Sequence, residues 1–133
     1  MWFRNRCPAL RAEFCALHEL GLALLAVQVG DATEAEEQYA ALGSHHGMVW
    51  LEGTICFERV LGLLAHTMGK LDDAASHFEE ALAFCRKAGY RPELAWSLCD
   101  YADMLRERDG PSDRQKAMSL LDESLNISQE LGM

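Results

Sequence analysis

The sequence predicts an all-α fold, a solenoid of about three helix-turn-helix repeats with six helices in all. Three observations predict it. A series of small and large apolar residues recurs three times around a turn. The segments between turns carry apolar residues at helical spacing, with start and stop signals at their ends. No alternating apolar-polar pattern competes for a strand assignment.

Aligned on the glycines, Leu22-Ala23, Gly30-Asp31, Ala35, Tyr39 and Leu42 form one series. Leu61-Gly62, Gly69-Lys70, Ala74, Phe78 and Ala81 repeat its spacing 39 residues on. Tyr101-Ala102, Ala117, Leu121 and Ser124 form the third, displaced by 40 residues in its first part and 43 in its second. The three extra residues fall in the loop 108–113, where insertion is cheap. Small residues at fixed offsets let paired helices approach closely, and large ones fill the space between.

Taken in order, the helices are expected at 9–28, 33–42, 48–67, 72–88, 92–107 and 113–131. Residues 1–8 form an N-terminal tail. Residues 9–133 form the domain, with repeats at about 9–43, 48–88 and 92–131. Thr33-x-x-Glu36 opens the second helix and Ser112-x-x-Gln115 the sixth, both as capping boxes. Leu61, Leu64 and Met68 give the third helix its apolar face, and Ala74, Phe78 and Leu82 the fourth. Gly89 after Arg86-Lys87-Ala88 stops the fourth helix, and Pro92 suits the first turn of the fifth. Residues 43–47, with His45-His46, read as a loop.

Composition narrows the function classes. The chain of 133 residues is 50% apolar, which opposes disorder. Its net charge of -9 opposes a nucleic-acid-binding surface, since Lys and Arg make phosphate contacts. Eight of the acids fall in residues 12–58, which hold no Lys or Arg. Such a stretch can steer a basic partner, or serve only as a solvated face. The longest apolar run, residues 20–30, is about half of the ~20 residues a membrane span needs, so no membrane role is expected. Glu13, His18 and Glu19 break the run a signal peptide would require. Five cysteines (Cys7, Cys15, Cys56, Cys85, Cys99) without a C-x-x-C pair read as reduced thiols of a cytoplasmic protein.

Catalytic chemistry is not signalled. Gly69-Lys70 lacks the preceding glycine loop and following Ser/Thr of a phosphate-binding loop. His18-Glu19 lacks the second histidine of a zinc-protease helix, which is Leu22 here. Asp72-Asp73 and Glu79-Glu80 are sequence neighbours and do not face each other on a helix. No enzyme, metal site or cofactor is expected.

The turn Gly69-Lys70-Leu71-Asp72-Asp73-Ala74, between Leu61-Gly62-Leu63-Leu64-Ala65 and Phe78-Glu79-Glu80-Ala81-Leu82, resembles the tetratricopeptide repeat. The spacing exceeds the usual 34 residues. The early tryptophan of that repeat is replaced by Glu19, Glu58 and Leu98. Arg59-Val60-Leu61-Gly62, Ala88-Gly89-Tyr90-Arg91-Pro92, Asp100-Tyr101-Ala102-Asp103 and Leu120-Leu121-Asp122-Glu123 resemble the C-terminal region of bacterial signal-transduction ATPases, which are linked to LuxR-type regulators or adenylate/guanylate cyclases. The resemblance implies a non-catalytic interaction or scaffold module of a bacterial signalling or transcriptional regulator. It binds a protein or peptide, or the remainder of a larger regulator. The alternative is a domain that senses a small-molecule inducer in its concave groove.

By that resemblance the first helix of each repeat lines the groove. It presents Leu17, Leu20, Leu24, Val27 and Gln28, then Cys56, Arg59, Leu63, His66 and Thr67, then Trp96, Cys99, Asp103, Arg106 and Glu107. Arg59, Leu63, His66, Trp96, Asp103 and Arg106 are the candidate partner-binding residues, with Trp96 as an aromatic anchor near two arginines. The competing reading packs Trp96 in the core and pairs the arginines with Glu58, Asp103 or Glu107. The carboxylate clamp of chaperone-binding repeats is not supported, because the only asparagines are Asn5 and Asn126. On the last helix, Met118, Leu121 and Leu125 are expected to face its partner helix. Leu120, Ile127 and Leu131 are then left as a possible interface, which a homodimer could use.

Overall fold

The computed structural model describes residues 8–43, 49–50 and 55–133, with side chains from His18 to Gly43 and from Ile55 onward. The residue 1–7 part of the expected tail, the His45-His46 loop and the side chains of Cys15 and Leu17 lie outside that description. Six helices are present among the described residues: α1 (Pro8–Val29), α2 (Ala32–Leu42), α3 (Phe57–Thr67), α4 (Leu71–Ala88), α5 (Arg91–Arg108) and α6 (Asp113–Leu131). They pack as successive antiparallel neighbours, α1 on α2, α3 on α4 and α5 on α6. The first helix of each later pair rests on the pair before it. The fold is an all-α solenoid.

Each tight turn has a local cause. Gly30, Gly69 and Gly89 take left-handed backbone angles that a side chain would strain, at φ 78, 79 and 75°. Gly89 closes α4, its N–H bonding to the Cys85 carbonyl. Pro92 lies in the first turn of α5.

Three expectations at helix starts are corrected. The cap of α2 is Asp31, not Thr33: Asp31 Oδ1 accepts from the N–H groups of Thr33 (3.0 Å) and Glu34 (3.1 Å). Ser112 makes no cap bond and sits in the left-handed region at φ 67°. Asp113 holds that turn instead, accepting from Gly110 N–H at 3.0 Å and from Arg108 at 2.7 and 2.8 Å. Helix α3 starts at Phe57 rather than residue 48. A two-residue antiparallel ladder of β1 (Val49–Trp50) and β2 (Ile55–Cys56) precedes it, pairing Val49 with Cys56 and Trp50 with Ile55. β-Branched Val49 and Ile55, with Gly53 between them in sequence, favour pairing over helix. Cys56 N–H donates to the buried Glu93 carboxylate of α5 at 3.0 Å, which holds the residue extended.

Two apolar cores show how pairs stack. In one, Phe57, Val60, Leu61 and Leu64 of α3 pack on Leu20, Ala23, Ala26, Ala35 and Leu42 of α1 and α2. In the other, Leu98, Tyr101 and Met104 of α5 pack with Phe78, Ala81, Leu82 and Cys85 of α4, and with Ala117, Leu120 and Ile127 of α6. Phe78 and Tyr101 stack with centroids 5.6 Å apart. Polar bridges cross the same seams. Glu58 and Tyr39 both hold the His77 ring, at 2.9 Å to Nδ1 and 2.6 Å to Nε2. Tyr101 donates to Glu79 at 2.7 Å while Lys116 bonds both.

The expected register of α6 is also corrected. Leu120 and Ile127 are buried in the core, so they form no exposed interface; Met118 and Leu125 are exposed instead, with Leu131. Ala117 and Ser124 permit the close approach that turns Leu120 and Ile127 inward, and Ser124 Oγ donates to the Ala95 carbonyl at 2.8 Å.

Candidate functional site

The first helices of the three pairs share one face. Residues of their C-terminal halves enclose a hollow of about 340 Å³, lined by Val27 of α1 and Gly30 just after it, Leu63, His66 and Thr67 of α3, and Asp100, Asp103 and Glu107 of α5. Val27 and Leu63 give an apolar floor. The three carboxylates fall at i, i+3 and i+7, one edge of a helix. His66 Nε2 contacts Glu107 across the gap between α3 and α5. Thr67 turns its hydroxyl back to the Leu63 carbonyl at 2.9 Å.

Of the six candidate binding residues, Leu63, His66 and Asp103 line this hollow. Arg106 lines an adjoining one of about 380 Å³ with Asp103, Glu107, Asp109 and Arg114, and pairs with Asp103 at 3.7 Å. Arg59 lies under the surface. Its Nε donates to Asp100 at 2.6 Å and its Nη1 approaches Glu93 at 3.4 Å. Glu58, one of its expected partners, goes to His77 instead. Burial opposes the Arg59 charge, but the Asp100 and Glu93 carboxylates more than offset it and raise its pKa. The same burial lifts the Asp100 carboxyl above its ordinary range, aided by Asp103 and opposed by Arg59.

Trp96 is neither in the core nor in the hollow. It is 53% exposed at the seam of α5 and α6, with the Arg59 guanidinium 5.9 Å from its ring centroid. Arg106 is ten residues further along α5, roughly 15 Å at the helical rise, so the aromatic anchor has one arginine beside it and not two. Leu20 and Cys56 are buried, whereas Leu24 and Gln28 are exposed.

Asp100 is not among the residues expected on this face from the sequence. Its signal is the 96–100–103–107 register on one face of α5, where Cys99 is the residue expected. Among the described residues, no three His, Cys, Asp or Glu side chains converge as a metal site requires. No described helix is long and apolar enough to cross a membrane.

Compared with known families, residues 54–130, more than half of the chain, match the model described as tetratricopeptide repeat. The match takes in α3 to α6 and leaves α1 and α2 outside it. Repeats of this kind form a non-catalytic module that mediates protein–protein interaction. No curated protein and no solved structure matches the chain significantly.

Proposed function

The chain belongs to the tetratricopeptide repeat family, and from that premise we propose that its concave face docks a cationic segment of a partner protein. The observation that carries the reading is the hollow between α1, α3 and α5, with an apolar floor and the carboxylates of Asp100, Asp103 and Glu107 along one wall. Arg59 is already engaged by Glu93 and Asp100, while Asp103 and Glu107, which meet Arg106 at 3.7 Å and His66, stay exposed to an incoming cation. An apolar side chain from the partner rests on Val27 and Leu63, and Lys or Arg beside it meets the carboxylates. The acidic run of residues 12–58 raises the rate of encounter with such a segment.

The resemblance of the repeats to sensor regions of bacterial regulators supports placing this docking step in a cytoplasmic signalling or transcriptional regulator. It acts there as a scaffold without chemistry of its own. The inducer-sensing alternative finds less support, because the hollow is shallow and acidic where small-molecule sites are mostly apolar and enclosed.

The test uses fluorescent peptides in which leucine alternates with lysine, with leucine-glutamate peptides as the control. The expected result is binding by the cationic set only, weakened about tenfold or more in Asp103→Lys/Glu107→Lys and weakened by salt. Equal binding of both sets, or binding indifferent to the double substitution, would contradict the reading.

A further inference from the structure

We propose that copies of this chain stack head to tail, the α1 face of one molecule covering the α5–α6 face of the next. The repeat makes the same kind of contact twice inside each molecule, α3 on α1–α2 and α5 on α3–α4.

The incoming face is seen first. Helix α3 docks on α1–α2 through Phe57, Leu61 and Leu64, all buried. Helix α5 docks on α3–α4 through Ser97, Tyr101 and Met104 at the equivalent positions, also buried. The equivalents on α1 are His18, Leu22 and Leu25, one repeat earlier still. Leu22 is only half-buried, Leu25 is 57% exposed and Val29, one turn on, is 71% exposed. Helix α1 thus presents to solvent the face that its two counterparts bury.

The outgoing face mirrors it. In the middle pair, Cys56, Phe78, Leu82 and Cys85 are buried and belong to the α4–α5 core. Their equivalents in the last pair are Trp96, Leu121, Leu125 and Ser128. Trp96 is 53% and Leu125 56% exposed, while Leu121 and Ser128 are half-buried. Between α5 and α6 this face carries a hollow of about 250 Å³, lined by Ala95, Trp96, Cys99, Ser124, Ser128 and Met133. A leucine of an incoming helix is the size of side chain such a seam accepts.

One molecule therefore carries both halves of a contact whose geometry it already displays twice. Apart from His18 and Ser128 the named residues of each half are apolar, and Leu22, Leu25, Val29, Trp96, Leu121 and Leu125 bring no charge to it, so the occupant that fits each is the other half on a second copy. The contact is heterologous, joining two different surfaces, and it extends an array instead of closing a symmetric dimer. The net charge of -9 on each copy opposes the approach at long range, so salt strengthens it.

Light scattering and sedimentation of the whole chain test this, from about 5 to about 500 μM and from about 50 to about 500 mM NaCl. The wild type is expected to rise above the 14.9 kDa of one chain with concentration, and further with salt. Leu25→Glu removes the incoming face and Leu125→Glu the outgoing one. Both residues are exposed, so both variants are expected to keep the wild-type circular dichroism. Each alone stays at the mass of one chain, yet an equal mixture forms pairs and nothing larger, because one intact face of each kind remains. A wild type at single-chain mass under every condition would overturn the proposal. So would self-association of either variant alone, which indicates like-to-like pairing, or a mixture that never pairs.

Discussion

The His77 ring ties the first pair of helices to the second. Its Nε2 bonds Tyr39 of α2 and its Nδ1 bonds the buried Glu58 of α3. Replacing Tyr39 with Phe removes one hydrogen bond across that seam and is expected to cost about 1 kcal/mol. His77→Ala removes the ring from both partners and leaves a void, at a cost of about 2–3 kcal/mol. Chemical denaturation of the two variants checks the order. Asp113 gives a pH signature. Bonds from Arg108 hold its carboxyl below the ordinary value of 3.8. A depressed pKa contributes stability that is present above the unfolded value and lost as pH falls through the folded one. Asp113→Asn is therefore expected to melt below the wild type at pH 7, with the gap closing on acidification below about pH 4. A gap that persists at low pH would show that the carboxylate charge is not what holds the α5–α6 turn.

Helix pairs owe their spacing to single small residues. A Cβ on Gly62 of α3 would lie 3.0 Å from the Phe78 ring of α4. Gly62→Ala gains helix propensity but crowds a fully buried ring, and a net loss of about 1 kcal/mol is expected. Phe78→Leu in the same chain should recover part of it, since Ala102 occupies the equivalent position opposite Leu121. At this scale much of the fold was legible. Period, glycine turns and Pro92 placed five helices to within two residues of their ends. The start of α3 was not legible, because the strand pairing of Val49–Trp50 with Ile55–Cys56 and the Glu93 bond to Cys56 come from tertiary context. The register of α6 misled for another reason. Leu121 and Leu125 repeat positions that are buried in α4, but those are buried because α5 lies over them. With no described helix over α6, Leu125 stays exposed and Ala117, Leu120, Ser124 and Ile127 carry the packing.

The whole molecule is a short superhelix whose faces have different chemistry. One end presents the apolar face of α1 and the other that of α5–α6. The inner side holds the acidic hollow. Half of the candidate site was legible from the resemblance, which put Leu63, His66 and Asp103 on the inner face. The placing of Trp96 was not, because a helix register does not say which neighbour covers a residue. Only the stacking of pairs decides that Trp96 lies on the α5–α6 seam and Arg106 at the other end of α5. The docking of a cationic segment is read most directly by mapping backbone amide NMR shifts during titration with a leucine-lysine peptide. Shifts are expected to concentrate at Val27, Gly30, Leu63, His66, Thr67, Asp103 and Glu107, and to vanish with Asp103→Lys/Glu107→Lys. Shifts confined to the outer helices α4 and α6, or no shifts at saturating peptide, would contradict a cationic partner in the concave face.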